Sequence, residues 1–338
     1  MEEHELTIMP QLTIEKRGNL GLIPEVVGYL SSIAVPDYIY TDYKVRHPAG
    51  VFNLATYYVV MDFIELLDEL EENQRNYNNT NKLDNKFRNL INNFFKFYDS
   101  CYEIMLGCCK QHTPPSENEF IYRWLENERR HPGQIYRVGT EFYINTKDKL
   151  KYFRELYNKL KHTSNNIHEE YFQDRSHVIM GFYLEAVTDV RTVGPDDHIH
   201  PRYNGNVKSA NSYNFKLNEL YYLLYFISNE LKEALETHYM DVYSINLVFD
   251  ENVNSEGRLN DQKWRDLLER IKRLPQDYYP NEFGMNIYNV REESDRLIFE
   301  EITARRAVLD GHFGGKQRLD GFTSTMGLPY VSEDTFRP

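Results

Sequence analysis

Hydrophobic residues recur at spacings of three and four along several stretches of the chain, which predicts amphipathic helices. From Ala49 to Glu71 the pattern places Phe52, Tyr58 or Val59, and Phe63 or Leu66 on one side. An Asn-rich polar stretch over Asn73–Asn81 interrupts it. A second helix is predicted from Lys82 to about Lys110, carrying Leu83, Phe87, Leu90, Ile91, Phe94, Phe97, Tyr98 and Cys101 and stopping before Thr113-Pro114-Pro115. Glu117–Arg130 predicts another, ended by His131-Pro132-Gly133. Thr146 to about Lys161 predicts a further one, with Thr146 or Asn145 as N-cap and Asp148 in its first turn. The strongest late pattern runs from Tyr213 to about His238, with Leu217, Leu220, Leu224, Ile227 and Leu231 in its stripe.

The intervening segments are less regular. Residues 1–48 contain scattered prolines and short apolar bursts, which predicts an irregular N-terminal segment. Val178–Val187 is an apolar run that fits a helix or a buried strand equally, and a Gly/Pro/Asp/His-rich loop follows it from Arg191 to Ala210. Beyond about Asp241 the alternation over 243–249 predicts a strand, 261–273 and 291–309 predict helices, and Gly311–Pro338 reads as a tail. The expected division is therefore 1–48, a helical domain over 49–240, and an extension over 241–338.

Composition narrows the class. The chain of 338 residues is 41% hydrophobic, with 27 Tyr and 19 Phe, enough apolar surface to fold without covalent staples. A net charge of −13 opposes general coating of nucleic acid. The cations are unevenly spread, however: Arg123 to His162 holds ten Lys/Arg against five Asp/Glu. The acidic start Met1-Glu2-Glu3-His4-Glu5 lacks the pattern of a secretory signal, and no run approaches the ~20 apolar residues of a membrane span. With three cysteines, two of them adjacent, reduced thiols in a cytoplasm are expected.

The chemistry concentrates in Thr146–His168. On a helix at about 100° per residue, Leu150, Phe153, Leu156, Tyr157 and Leu160 form the apolar face. Arg154, Asn158 and His162, four apart, then form a polar row beside it, with Lys161 near Arg154. An imidazole moves protons near neutral pH, a cation stabilises an anionic transition state, and an amide orients a phosphate or hydroxyl. Such groups suit RNA cleavage without a metal. The plainer reading makes His162 a helix C-cap and leaves Asn158 and Arg154 as solvated surface.

The Asn158-Lys-Leu-Lys-His162 string at the end of an amphipathic helix resembles the signature of the HEPN superfamily. The resemblance continues through Gly181-Phe182-Tyr183-Leu184-Glu185, Gly194-Pro195-Asp196, His200-Pro201 and the helix containing Ile227-Ser228. It implies a mainly α fold, an antiparallel helical bundle of HEPN type with irregular N- and C-terminal extensions. It also implies a metal-independent endoribonuclease of a bacterial antiviral-defence or toxin-like system, paired as a homodimer, with RNA as substrate and no cofactor. His162, Asn158, Arg154 and Lys161 are then the catalytic candidates, and Tyr157, Lys159 and His200 the substrate-binding ones. The family motif starts with an Arg; here that position holds Tyr157. Many family members without the full motif are non-catalytic binding or scaffold modules, so the alternative is a helical module that binds a nucleotide or a partner protein of a defence operon.

Two other features compete. Asp196, His198 and His200 offer ligand types a metal accepts, although a polar loop of this kind is also an ordinary solvated turn. Tyr221, Tyr222, Tyr225 and Phe226 suit base stacking or, coinciding with the apolar stripe, core packing.

Overall fold

Burial of the apolar stripes decides which segments become the core. The computed structural model describes residues 10–35, 37–41, 44–75, 82–108, 134–162, 166–174, 178–189, 192–200, 202–203, 207–208, 210–253, 260–282, 284–304, 311–315 and 323–324. Helix outweighs strand among them, and the protein is mainly α. The elements in chain order are β1 (Pro10–Glu15), α1 (Val26–Ser32), α2 (Asp37–Thr41), α3 (Pro48–Arg75), α4 (Lys82–Cys108), α5 (Gln134–Lys147) and α6 (Lys151–His162). They continue with β2 (Ile167–Asp174), β3 (Val178–Asp189), β4 (Thr192–Pro195), β5 (Arg202–Tyr203), β6 (Val207–Lys208), β7 (Asn211–Ser212) and α7 (Tyr213–Tyr243). The last are α8 (Asp261–Arg273), β8 (Asn286–Glu292), β9 (Arg296–Thr303), β10 (Gly311–Gly315) and β11 (Thr323–Ser324).

α3 and α4 pack along their lengths. Phe52, Val59, Phe63 and Leu66 of α3 and Phe87, Leu90, Phe94 and Phe97 of α4 are all fully buried. Val59, and not the half-exposed Tyr58, completes the α3 stripe. The same helix corrects the expectation about membrane spans. Among the described residues α3 alone is long and apolar enough to cross a bilayer, with half of its most apolar window buried in the fold.

α7 supplies the third long element, starting at Ser212, whose hydroxyl caps the Phe215 amide at 3.3 Å. Its tyrosines are core: Tyr221, Tyr222 and Tyr225 are at most 2% exposed. Tyr222 stacks on Tyr288 of β8 with centroids 3.7 Å apart. The predicted Glu117–Arg130 helix lies outside the described residues.

Three sequence expectations are corrected. The segment read as one helix from Thr146 is two, α5 and α6, separated by a turn over 148–150. Thr146 does not cap α6; it is fully buried in the last turn of α5, donates to the Phe142 carbonyl at 2.8 Å and meets the Tyr98 hydroxyl at 2.8 Å. Residues 243–249 contain no strand beyond the end of α7. Over the described part, 291–304, of the segment 291–309 expected as helix, the chain instead forms the end of β8 and all of β9, an antiparallel pair turning at Ser294-Asp295; 305–309 lie outside the described residues.

These strands join the chain's two ends. β1, from the segment read as irregular, pairs antiparallel with β9 to give a sheet of order β1-β9-β8. The open choice over Val178–Val187 resolves as strand β3, in a sheet of order β10-β2-β3-β4-β11 with β7 also on β3. β5 and β6 form a separate short ladder. Strands that follow residue 241 thus complete a sheet built on β2–β4. α8 matches its prediction over 261–273 and is capped by Asn260 at 3.3 Å.

Gly181 in β3 shows how tightly this sheet is covered. A Cβ there would lie 2.3 Å from the ring of Tyr279, which is fully buried with its hydroxyl within 3.3 Å of the Glu170 and Ile179 carbonyls. Gly181→Ala is therefore expected to cost about 1–3 kcal/mol, read by urea denaturation. An unchanged midpoint would show that Tyr279 moves aside freely.

Candidate functional site

α6 is held by its apolar side. Phe153 and Leu156 are fully buried and Leu160 nearly so, matching the predicted face. Tyr157 lies half-buried against α4, its ring stacked on Phe95 at 4.7 Å and 14°. The residue at the motif's Arg position thus serves as a packing group between helices.

The polar row divides into residues with different surroundings. The Arg154 guanidinium lies 5.3 Å from the Tyr98 ring centroid and 5.4 Å from that of Tyr143, between α4 and α5. It is a cation held by two π faces. Asn158 is exposed. Lys161 is also exposed, 5.4 Å from the Tyr157 ring, and the Asp99 carboxylate of α4 attracts both Lys161 and Arg154. His162 closes α6, one turn beyond Asn158 and Lys159; its side chain lies outside the described residues.

Lys159 joins this helix to the loop after β4. Its ammonium meets Asp196 Oδ2 at 2.6 Å, while Asp196 Oδ1 accepts the amides of His198 at 2.9 Å and Ile199 at 3.1 Å. Burial pushes the Asp196 carboxyl up, but the bond from Lys159 and the two amides outweigh it and hold the group below its ordinary value. The carboxylate thereby folds residues 196–200 into a turn against α6. His198 stands exposed on that turn.

His200, a substrate-binding candidate, is placed elsewhere. It is fully buried, and its Nε2 accepts the Leu184 amide at 2.8 Å. Accepting an N–H requires a lone pair, so this imidazole is neutral with its proton on Nδ1. The Asn211 side-chain nitrogen lies 3.3 Å from Nδ1 and donates to the Tyr152 hydroxyl at 2.8 Å; since it and Nδ1–H are both donors, its contact with His200 is packing and not a hydrogen bond. His200 therefore ties the turn to β3 rather than facing a substrate. Of the alternative metal set, Asp196 and His200 are committed to these internal bonds. Among the described residues no group of three or more His, Cys, Asp and Glu is arranged to hold a metal.

A second cluster escaped the sequence reading. On one face of the β2–β3 pair, His168 Nε2 lies 2.7 Å from Glu185 Oε2, and its ring stacks on Tyr183 at 5.2 Å. Glu170, two residues along β2, is 4% exposed with Oε2 unpartnered, and burial pushes its carboxyl up to about 8. The alternation of His168, Glu170 and Phe172 is the signal that marks this face once β2 is known to be a strand.

No protein-family model, curated protein or solved structure matches this chain.

Proposed function

We propose that the end of α6 and the turn over 196–200 form the RNA-facing site of a metal-independent endoribonuclease of HEPN type. The reading includes a helical core of that type and a bacterial defence or toxin-like role in the cytoplasm. The observation that carries it is the Lys159–Asp196 pair, because it joins two segments far apart in sequence that both bear the resemblance. The exposed Asn158 and Lys161, the backbone position of His162 and the exposed His198 lie on the two elements that this pair brings together.

In the proposed reaction His162 takes the proton from a ribose 2′-hydroxyl, the 2′-oxygen attacks phosphorus, the P–O5′ bond breaks, and the 5′-oxygen takes a proton from solvent. The products are a 2′,3′-cyclic phosphate and a 5′-hydroxyl. Lys161 neutralises the phosphorane oxygens and Asn158 orients them. Arg154, fixed between two tyrosines, contributes positive potential from behind the row.

Purified protein incubated with mixed RNA in EDTA tests this directly. Cleavage that persists in the chelator supports it; cleavage lost in EDTA and restored by zinc or manganese overturns the metal-free chemistry. A second reading, a non-catalytic module that binds a nucleotide or a partner protein of a defence operon, is favoured by Tyr157 stacking at the motif's Arg position and by the capture of Arg154. No cleavage of any RNA, with or without such partners, would select it. The catalytic reading also expects a homodimer with both His162 residues at one cleft. Light scattering at micromolar concentration checks this, and a clean monomer counts against it.

A further inference from the structure

A cavity of about 450 Å³ opens between α3, α4 and the segment leading into α3. Its volume falls in the range of about 300–1,000 Å³ typical of small-molecule sites. One wall is a stripe of α3 at helical spacing, Val51, Leu54, Ala55 and Tyr58, of which Leu54 is 38% and Tyr58 49% exposed. Large apolar groups left open at the wall of a cavity are poised to be covered by a ligand.

The rest of the lining holds three cations beside Val45, Asn93, Ser100 and Glu103, in a chain of net charge −13. Lys44 and Arg46 come from the segment before α3 and Lys96 from α4. Among the described residues Lys44 and Arg46 make no ion pair. Lys96 donates to the neutral Asn93 Oδ1 at 3.2 Å, with the Asp62 carboxylate beyond it. Lys44 also holds φ at +56°, a left-handed conformation that residues with a side chain rarely adopt. Such backbone is retained where the surrounding structure fixes it, commonly at ligand clamps. The one carboxylate of the lining, Glu103, is raised above its ordinary value by burial and then by Asp99.

We infer that this cavity binds a free nucleoside diphosphate or triphosphate. Lys44, Arg46 and Lys96 take the phosphates, and the Tyr58 ring with the apolar α3 stripe takes the base. A polyanion matches three cations against one carboxylate, and an aromatic base matches an exposed phenol ring beside aliphatic groups. The α4 residues lining the cavity lie roughly 150° around the helix from Phe95 and Tyr98, which face α6, at 100° per residue, with Asp99 between the two groups. The site is therefore separate from the one at the end of α6.

Titration calorimetry on the full chain with ADP, GDP, CDP and UDP tests this, alongside adenosine and inorganic phosphate. At least one diphosphate is expected to bind at least tenfold tighter than adenosine or phosphate and to weaken with salt. Lys44→Glu with Arg46→Glu is expected to lower that affinity at least tenfold while leaving the melting temperature of the free protein unchanged, because both side chains are exposed. Tyr58→Ala should weaken diphosphates and leave the weaker phosphate binding unaltered. Diphosphates no tighter than phosphate, equal affinity in the double variant, or displacement of the diphosphate only by a short RNA would each overturn the inference. None of these readouts depends on RNA cleavage, so failure here and failure of the α6 site are distinguished.

Discussion

His162→Ala is expected to lower RNA cleavage by about 10²–10⁴-fold, the usual cost of removing a general acid or base. The loss should appear equally in EDTA, with an unchanged melting temperature, because His162 ends its helix. Asn158→Ala should reduce the rate less and leave stability alone, as its side chain is exposed. The two cations should behave differently from each other. Arg154→Ala removes a guanidinium held by Tyr98 and Tyr143 and is expected to cost about 1–2 kcal/mol of stability, whereas Lys161→Ala should affect activity alone. A His162→Ala protein that cleaves at the wild-type rate would remove this residue from the chemistry altogether.

Stability should fall as pH rises from about 4.5 to about 8, and Glu170→Gln should abolish much of that fall. Burial raises Glu170 to about 8. Glu282 is raised to about 7, again by burial, against hydrogen bonds from Ser212 and the Tyr279 amide. Both carboxyls bind protons more tightly folded than unfolded. Their stabilising contribution is therefore complete below the unfolded value near 4.5 and is lost as pH rises through the folded values. Asp196 acts oppositely: its folded value is depressed, so its contribution is present above the unfolded value and lost on acidification. Greatest stability is expected on the mildly acidic side. For Glu170 the linkage corresponds to an effect on the order of 5 kcal/mol, at about 1.4 kcal/mol per pH unit. Urea denaturation from pH 5 to pH 9 should show Glu170→Gln gaining on the wild type as pH rises. Parallel curves for the two proteins would mean that Glu170 is not the group responsible.

The long helices were legible because each carries its own stripe: Phe87 to Cys101 in α4 and Leu217 to Leu231 in α7 need no distant partner to be recognised. The strands were not. Arg296–Thr303 contains Leu297, Ile298 and Phe299 in a run that fits either period, and only pairing with β1 and β8 decides it. In β2, His168-Glu169-Glu170 looks like solvated polar sequence, yet all three are buried under neighbouring elements. At the site, the row Arg154–Asn158–His162 followed from helical spacing alone. The surroundings of its members depended on residues elsewhere in the chain. Tyr98 and Tyr143 hold Arg154, and Asp196 binds Lys159; none of these contacts has a local signature.

The register of β1 on β9, with Leu12 opposite Phe299, bears on how the chain is made. β1 is synthesised nearly three hundred residues before its partner emerges. The α3–α4 hairpin can pack while the chain is still on the ribosome, but this sheet cannot close until β9 has emerged. Joining such distant segments carries a loop-closure entropy that local helix pairs avoid. Until then the β1 segment carries an unpaired backbone edge, the kind of surface on which nascent chains associate wrongly. Closure of that three-stranded sheet is the natural late step of folding, and a slow phase should track the pairing of Leu12 with Phe299.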